Sequence, residues 1–101
     1  MILSFEEIHD FIKIDFEEEN NLLKLLEEAS IEAIKDMTGY DMNISASAKS
    51  KIVCLALINE MYKDRGLTTD KAAEKIRPVY NGILIQLHHD AKKQKVGEND
   101  G

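Results

Sequence analysis

Four groupings in this sequence have side chains that could support chemistry: the pair His88–His89, His9 beside Asp10, the run Glu17-Glu18-Glu19, and the lone Cys54. Successive residues of a helix point about 100° apart, so neither His88 with His89 nor the three glutamates converge on one ion. His9 joins the other histidines only if the fold gathers distant segments. A single cysteine allows no intramolecular disulfide and no Cys-based zinc site. Its place inside the apolar run from Ile52 to Ile58 predicts a buried small hydrophobe in a reducing compartment. No Gly-rich phosphate loop, paired-cysteine motif or His-Glu-x-x-His run is present, and nothing marks a nucleophile. The chain reads as a non-enzyme, with no catalytic residue, metal or cofactor expected.

Binding chemistry is constrained by charge. The 101 residues carry a net charge of −6, and a nucleic-acid interface needs a basic face to neutralise phosphates. The bases are scattered, apart from Lys92, Lys93 and Lys95 near the end. Sequence-specific DNA binding is therefore not expected. The charge is also unevenly placed. Residues 1–41 hold twelve acids against three bases, and residues 42–101 hold seven acids against ten bases. Two explanations stand open: solvated helix faces that differ, or a head-to-tail assembly in which an acidic surface meets a neighbour's basic one.

The elements that position these residues are helical. One proline, five glycines, 44% apolar residues and 32% charged ones describe a water-soluble all-α domain of four to five helices. The N-terminus lacks a basic flank and a long apolar stretch, and the longest apolar run falls short of a membrane span. No membrane contact is expected, and synthesis and folding are placed in the cytoplasm.

Ser4 and Glu7 have the spacing of a capping box, and Leu3 and Ile8 that of a hydrophobic staple. Phe5, Ile8, Phe11 and Ile12 then form one stripe on a helix ending near Lys13. Asp15 is the candidate N-cap of a second helix, with Glu17, Glu18 and Glu19 in its first turn. Leu22, Leu26, Ala29, Ala33 and Met37 follow on one line, with Leu23, Ser30 and Ile34 beside it; Leu25 and Ile31 widen the stripe. Gly39 suits the left-handed stop. Ser45 or Ser47 caps a third helix that reaches about Arg65, with Gly66 as its stop. This helix is apolar on every side around residues 52–58, so it must be covered on every side.

Pro78 predicts a break. It leaves a short helix from Asp70 to Ile76 and a last one from Pro78 to about Ala91, with Val79, Ile83, Leu84 and Leu87 as its apolar face and Ile85 to one side. The domain is thus read as residues 1–91, followed by a flexible polar tail at 92–101 that is too poor in apolar anchors to order itself.

The order of features carries a resemblance. Leu3-Ser4-Phe5-Glu6-Glu7-Ile8 and Phe11-Ile12-Lys13-Ile14-Asp15 lead into an acidic run and a Leu-rich helix closed by Thr38-Gly39-Tyr40. A hydrophobic helix then ends in Met61-Tyr62-Lys63-Asp64-Arg65, and the last helix contains Ile83-Leu84-Ile85-Gln86-Leu87. Over about residues 2–89 this resembles the head–tail connector (portal adaptor) family of tailed phages and prophages. Where that family often carries Arg after the last Leu, His88 stands here.

The resemblance implies a structural subunit that forms a ring beneath the portal and extends the DNA channel. Its partners would be the portal protein, the next neck or tail protein and further copies of itself, with DNA passing non-specifically. Its places would be the host cytoplasm before assembly and the virion neck after it. Subunit-interface candidates are Tyr62 and Arg65, of types enriched at binding hot spots, together with Leu57 and Ile58. Arg65 has an alternative use as an intramolecular anchor. Glu17, Glu18 and Glu19 are candidates for the channel wall or for a neighbour's surface. The competing expectation is a small cytoplasmic helical regulator or adaptor acting through protein–protein contacts.

Overall fold

The computed structural model of the chain describes residues 2–13 and 20–100, the side chains of 95–100 excepted. It is an all-α bundle of four helices in the order α1 (Phe5–Ile12), α2 (Asn20–Thr38), α3 (Ala48–Lys63) and α4 (Thr69–Asp100). α2, α3 and α4 each pack against the other two, and α1 lies across α2 and α3.

Local chemistry accounts for most of the helix ends. Ser4 Oγ accepts the Glu7 N–H at 3.0 Å, and the Glu7 carboxylate accepts the Ser4 N–H at 3.0 Å, completing the capping box. Leu3 and Ile8 are both buried. Lys13 ends α1 in a left-handed conformation, φ 57°. Gly39 does the same after α2 at φ 83°, its N–H donating to Lys35 O at 2.7 Å. Ser47, and not Ser45, caps α3 by accepting the Ser50 N–H. That helix stops at Lys63, where the Asp64 N–H returns to Glu60 O, slightly before Arg65. Asp15 and the start expected there for the second helix lie outside the described residues.

The buried face of α2 differs from the expected one. Leu23, Glu27, Ser30, Ile31, Ile34 and Thr38 are buried, while Leu22, Leu26, Ala29, Ala33 and Met37 are half-covered. The helix is rolled toward its secondary line because α3 and α4 approach it from that side. Leu25, counted into the stripe, is 63% exposed.

The break expected at Pro78 is present but displaced by two residues: α4 is two helical pieces joined across a kink at Tyr80, φ −109°, ψ 15°. Proline removes one ladder hydrogen bond and crowds the preceding turn. Ala72, Ala73 and Ile76 before it and Leu84, Leu87 and Ala91 after it are all buried, so both halves stay docked. The bend leaves Val79 outside at 76% exposure, off the apolar face assigned to it. The helix also passes residue 91 and runs to Asp100, since Lys92, Lys93 and Gln94 are all good helix formers.

Candidate functional site

Tyr62 and Arg65 do meet. The Arg65 guanidinium carbon sits 5.0 Å from the centre of the Tyr62 ring, within cation–π range. Tyr62 is half-buried at the last turn of α3, and Arg65 is exposed just beyond it. A planar cation and the electron-rich face of a phenol ring are thereby held together where α3 ends.

Leu57 and Ile58 do not belong to that surface. Both are completely buried inside the chain, because α1, α2 and α4 all pack against α3. The cover that the apolar run demanded comes from the same subunit, and these two residues are corrected from interface candidates to core. Ile52 alone of that run is exposed. Glu17, Glu18 and Glu19 lie outside the described residues.

The histidines are dispersed. His9 Nε2 lies 2.9 Å from Asn20 Oδ1, and His88 Nδ1 lies 3.1 Å from Thr38 O. The His88 and His89 rings are 6.1 Å apart and tilted by 58°. No group of three or more His, Cys, Asp or Glu side chains suited to a metal occurs among the described residues. Cys54 is fully buried; burial, and then the nearby Glu27 charge, push its thiol up to about 12. At neutral pH it is therefore a thiol and not a nucleophile.

Two polar features escaped the sequence reading. Glu27 is only 1% exposed, and its carboxylate accepts the N–H groups of Leu3 at 2.7 Å and Ile2 at 3.3 Å. Its place on the line Leu23–Glu27–Ser30–Ile34 was a usable signal, since a carboxylate at a core position must find donors. The second feature ties α4 to the α2–α3 connector. Gln94 pairs its amide with the Asp41 backbone, accepting from Asp41 N and donating to Asp41 O, both at 2.9 Å. Lys49 and Asp90 form an ion pair at 2.9 Å in the same region. Gln94 lies inside the segment expected to be a loose tail, so the anchored part of the helix reaches at least that far. Tyr40 and Met42, on the connector itself, are core residues.

Comparison with known protein families, curated proteins and solved structures finds no match.

Two clefts run between α2 and α4, of about 290 and 180 Å³, and they share Met37 and Arg77. Glu32, Asp36 and Asp70 line the first; Leu84, Ile85 and His88 line the second. Ile85 is 51% exposed, and with Val79 and Leu25 it leaves large apolar side chains in water. No described helix is long and apolar enough to cross a membrane.

Proposed function

We propose that the chain is a structural subunit of a tailed-phage head–tail connector, assembling as a ring beneath the portal and extending the channel for DNA. The observation that carries this reading is the outward apolar surface of a bundle whose core is already filled: Val79 and Ile85 on α4 and Leu25 on α2. Large apolar side chains left in water gain roughly 25 cal/mol for each Å² that a neighbour covers.

Further support comes from where the resembling residues fall. Ser4 and Glu7 cap α1, Thr38-Gly39-Tyr40 turns the chain out of α2, and Tyr62 pairs with Arg65 where α3 ends. These positions shape the outline of a subunit. The charge distribution fits as well. Ring contacts are heterologous, one surface against a different one, and an acidic first part with a basic second part supplies complementary partners. The portal protein, the next neck protein and further copies of this chain are the partners, and DNA is met only in passage.

The test is assembly. Mixed with portal-bearing capsids, the protein should co-sediment as a closed ring and be visible below the portal by electron microscopy. Rising salt should weaken the association, because charges beyond about 8 Å are screened at physiological ionic strength. Absence of association at every salt concentration overturns the connector reading. Reversing Glu17, Glu18 and Glu19 to Lys assigns those acids. Lost assembly places them against a neighbour, whereas intact rings with slowed DNA passage place them on the channel wall.

A further inference from the structure

The faces of α2 and α4 that flank their shared clefts form one strip along the bundle. The two helices run in the same direction: Glu32 and Asp36 line a cleft with Asp70 and Arg77, while farther along Thr38 lies beside His88. The clefts have Met37 and Arg77 in common, so the seam is continuous. Beyond the Tyr80 kink, Asn81, Ile85, His88 and Lys92 recur every three or four residues, which keeps them on one side of α4.

The strip is polarised. Its first end carries three exposed carboxylates, Glu32, Asp36 and Asp70. Its other end carries the exposed Lys92, with the His88 ring one turn before it. Glu32 and Asp36 stand one helical turn apart, a like-charge spacing that is mildly unfavourable. None of the three acids, nor Arg77 or Lys92, enters an ion pair among the described residues. Between the two ends lies Ile85, half in water.

A face with acid at one end, base at the other and an apolar side chain between them is complementary to itself when turned end for end. Halfway from Asp70 to Lys92 along α4 is Asn81. A two-fold axis there carries each Lys92 to the acids of the other copy, and Ile85, one turn from the axis, is covered on both.

We infer that this α2–α4 face is a docking surface for a second copy of the chain. The two copies pack antiparallel about a two-fold axis near Asn81, with Lys92 of each against Glu32, Asp36 and Asp70 of the other. Such a pair uses one face twice, whereas a ring joins two different faces, so the inference does not rest on the connector reading. It describes the free protein: Ile85 is covered in the pair and must be released before another neighbour can cover it.

Sedimentation equilibrium of the full chain is the test. The expected result is a reversible rise from the mass of one chain, 11.5 kDa, to that of two as concentration increases, weakened by salt because the charged ends are exposed. A single-chain mass up to about 1 mM overturns the inference, and masses that climb past two chains overturn the two-fold arrangement. Ile85→Glu sets a charge in the contact and should weaken pairing roughly tenfold or more; unchanged pairing removes this face from the interface. Charge exchange is the decisive arm. Lys92→Glu alone, and Glu32→Lys with Asp36→Lys alone, should each weaken self-pairing roughly tenfold, since like charges then meet. An equimolar mixture of these two variants should pair as the parent does, because each altered end finds its complement on the other chain. A mixture that pairs no better than its components shows that Lys92 does not meet these acids, and the arrangement falls. The substituted residues are all exposed, circular dichroism checks that their helices are intact, and the parent's own concentration dependence decides the main point in any case. Portal binding is a separate measurement, so failure of the pair and failure of the connector reading are told apart.

Discussion

At its N-terminal end the chain is fastened through Glu27, a fully buried carboxylate that takes two backbone N–H groups at 2.7 and 3.3 Å. At the other end α4 is fastened near the surface, by the Gln94 amide on Asp41, the Lys49–Asp90 ion pair and His88 on Thr38 O. One attachment is a single charge taken out of water; the other is several weak contacts that remain partly in it. A buried charge is costly to leave unpartnered but adds little net strength when partnered. Distributed surface contacts are individually small and fail one at a time. The two ends should therefore respond to mutation in different ways.

A reference for both ends is the core they close over. Leu57→Ala removes a fully buried side chain from the central helix and should cost about 2–5 kcal/mol, read from the urea midpoint. Glu27→Ala should come next. It leaves the Leu3 N–H buried without an acceptor, a loss of about 1–3 kcal/mol, and α1 should lose protection in amide exchange before the other helices. An equal loss of protection in all four helices would erase the distinction between the two ends.

Gln94→Ala removes the paired hydrogen bonds to Asp41 and should cost only about 1 kcal/mol. Its effect should be confined to exchange in the connector and the end of α4. The same residue sharpens the boundary of the tail. Limited proteolysis of the parent should cut beyond Gln94 first, and of the variant also at Lys92 or Lys93.

The ion pair at this end gives the smallest effect, and one with a sign. The hydrogen bond from Lys49 holds the Asp90 carboxyl below its ordinary value of 3.8. Its contribution is therefore complete above that value and disappears as pH falls through the depressed folded value. Glu7, held low mainly by the hydrogen bond from the Ser4 N–H, behaves likewise from its ordinary value of 4.5 downward. Thermal midpoints measured from pH 6 to pH 2 should thus decline on the acid side, and Asp90→Asn should lower the neutral plateau slightly and flatten that part of the decline. An identical profile in the variant would show that the pair contributes nothing.

Much of this protein was determined by short-range chemistry already present in the chain. Ser4 with Glu7, Gly39, and Ser47 before an apolar run set three helix boundaries, because capping requires only partners within a few residues. The 3.6-residue recurrence of apolar positions established an all-α bundle before any packing was known. What the tertiary structure decided was direction and continuity. α2 presents the Leu23 line to the core in place of the Leu22 line, since two candidate stripes one position apart differ only in what lies opposite them. The break that Pro78 calls for falls as a kink at Tyr80, and buried residues on both sides of it hold the two helical pieces to one bundle. Leu57 and Ile58 are covered by their own chain, which no local pattern distinguishes from cover by a neighbour. Glu27 and Gln94 became anchors only when Ile2, Leu3 and Asp41, more than twenty residues away in sequence, arrived with unpaired backbone groups to satisfy.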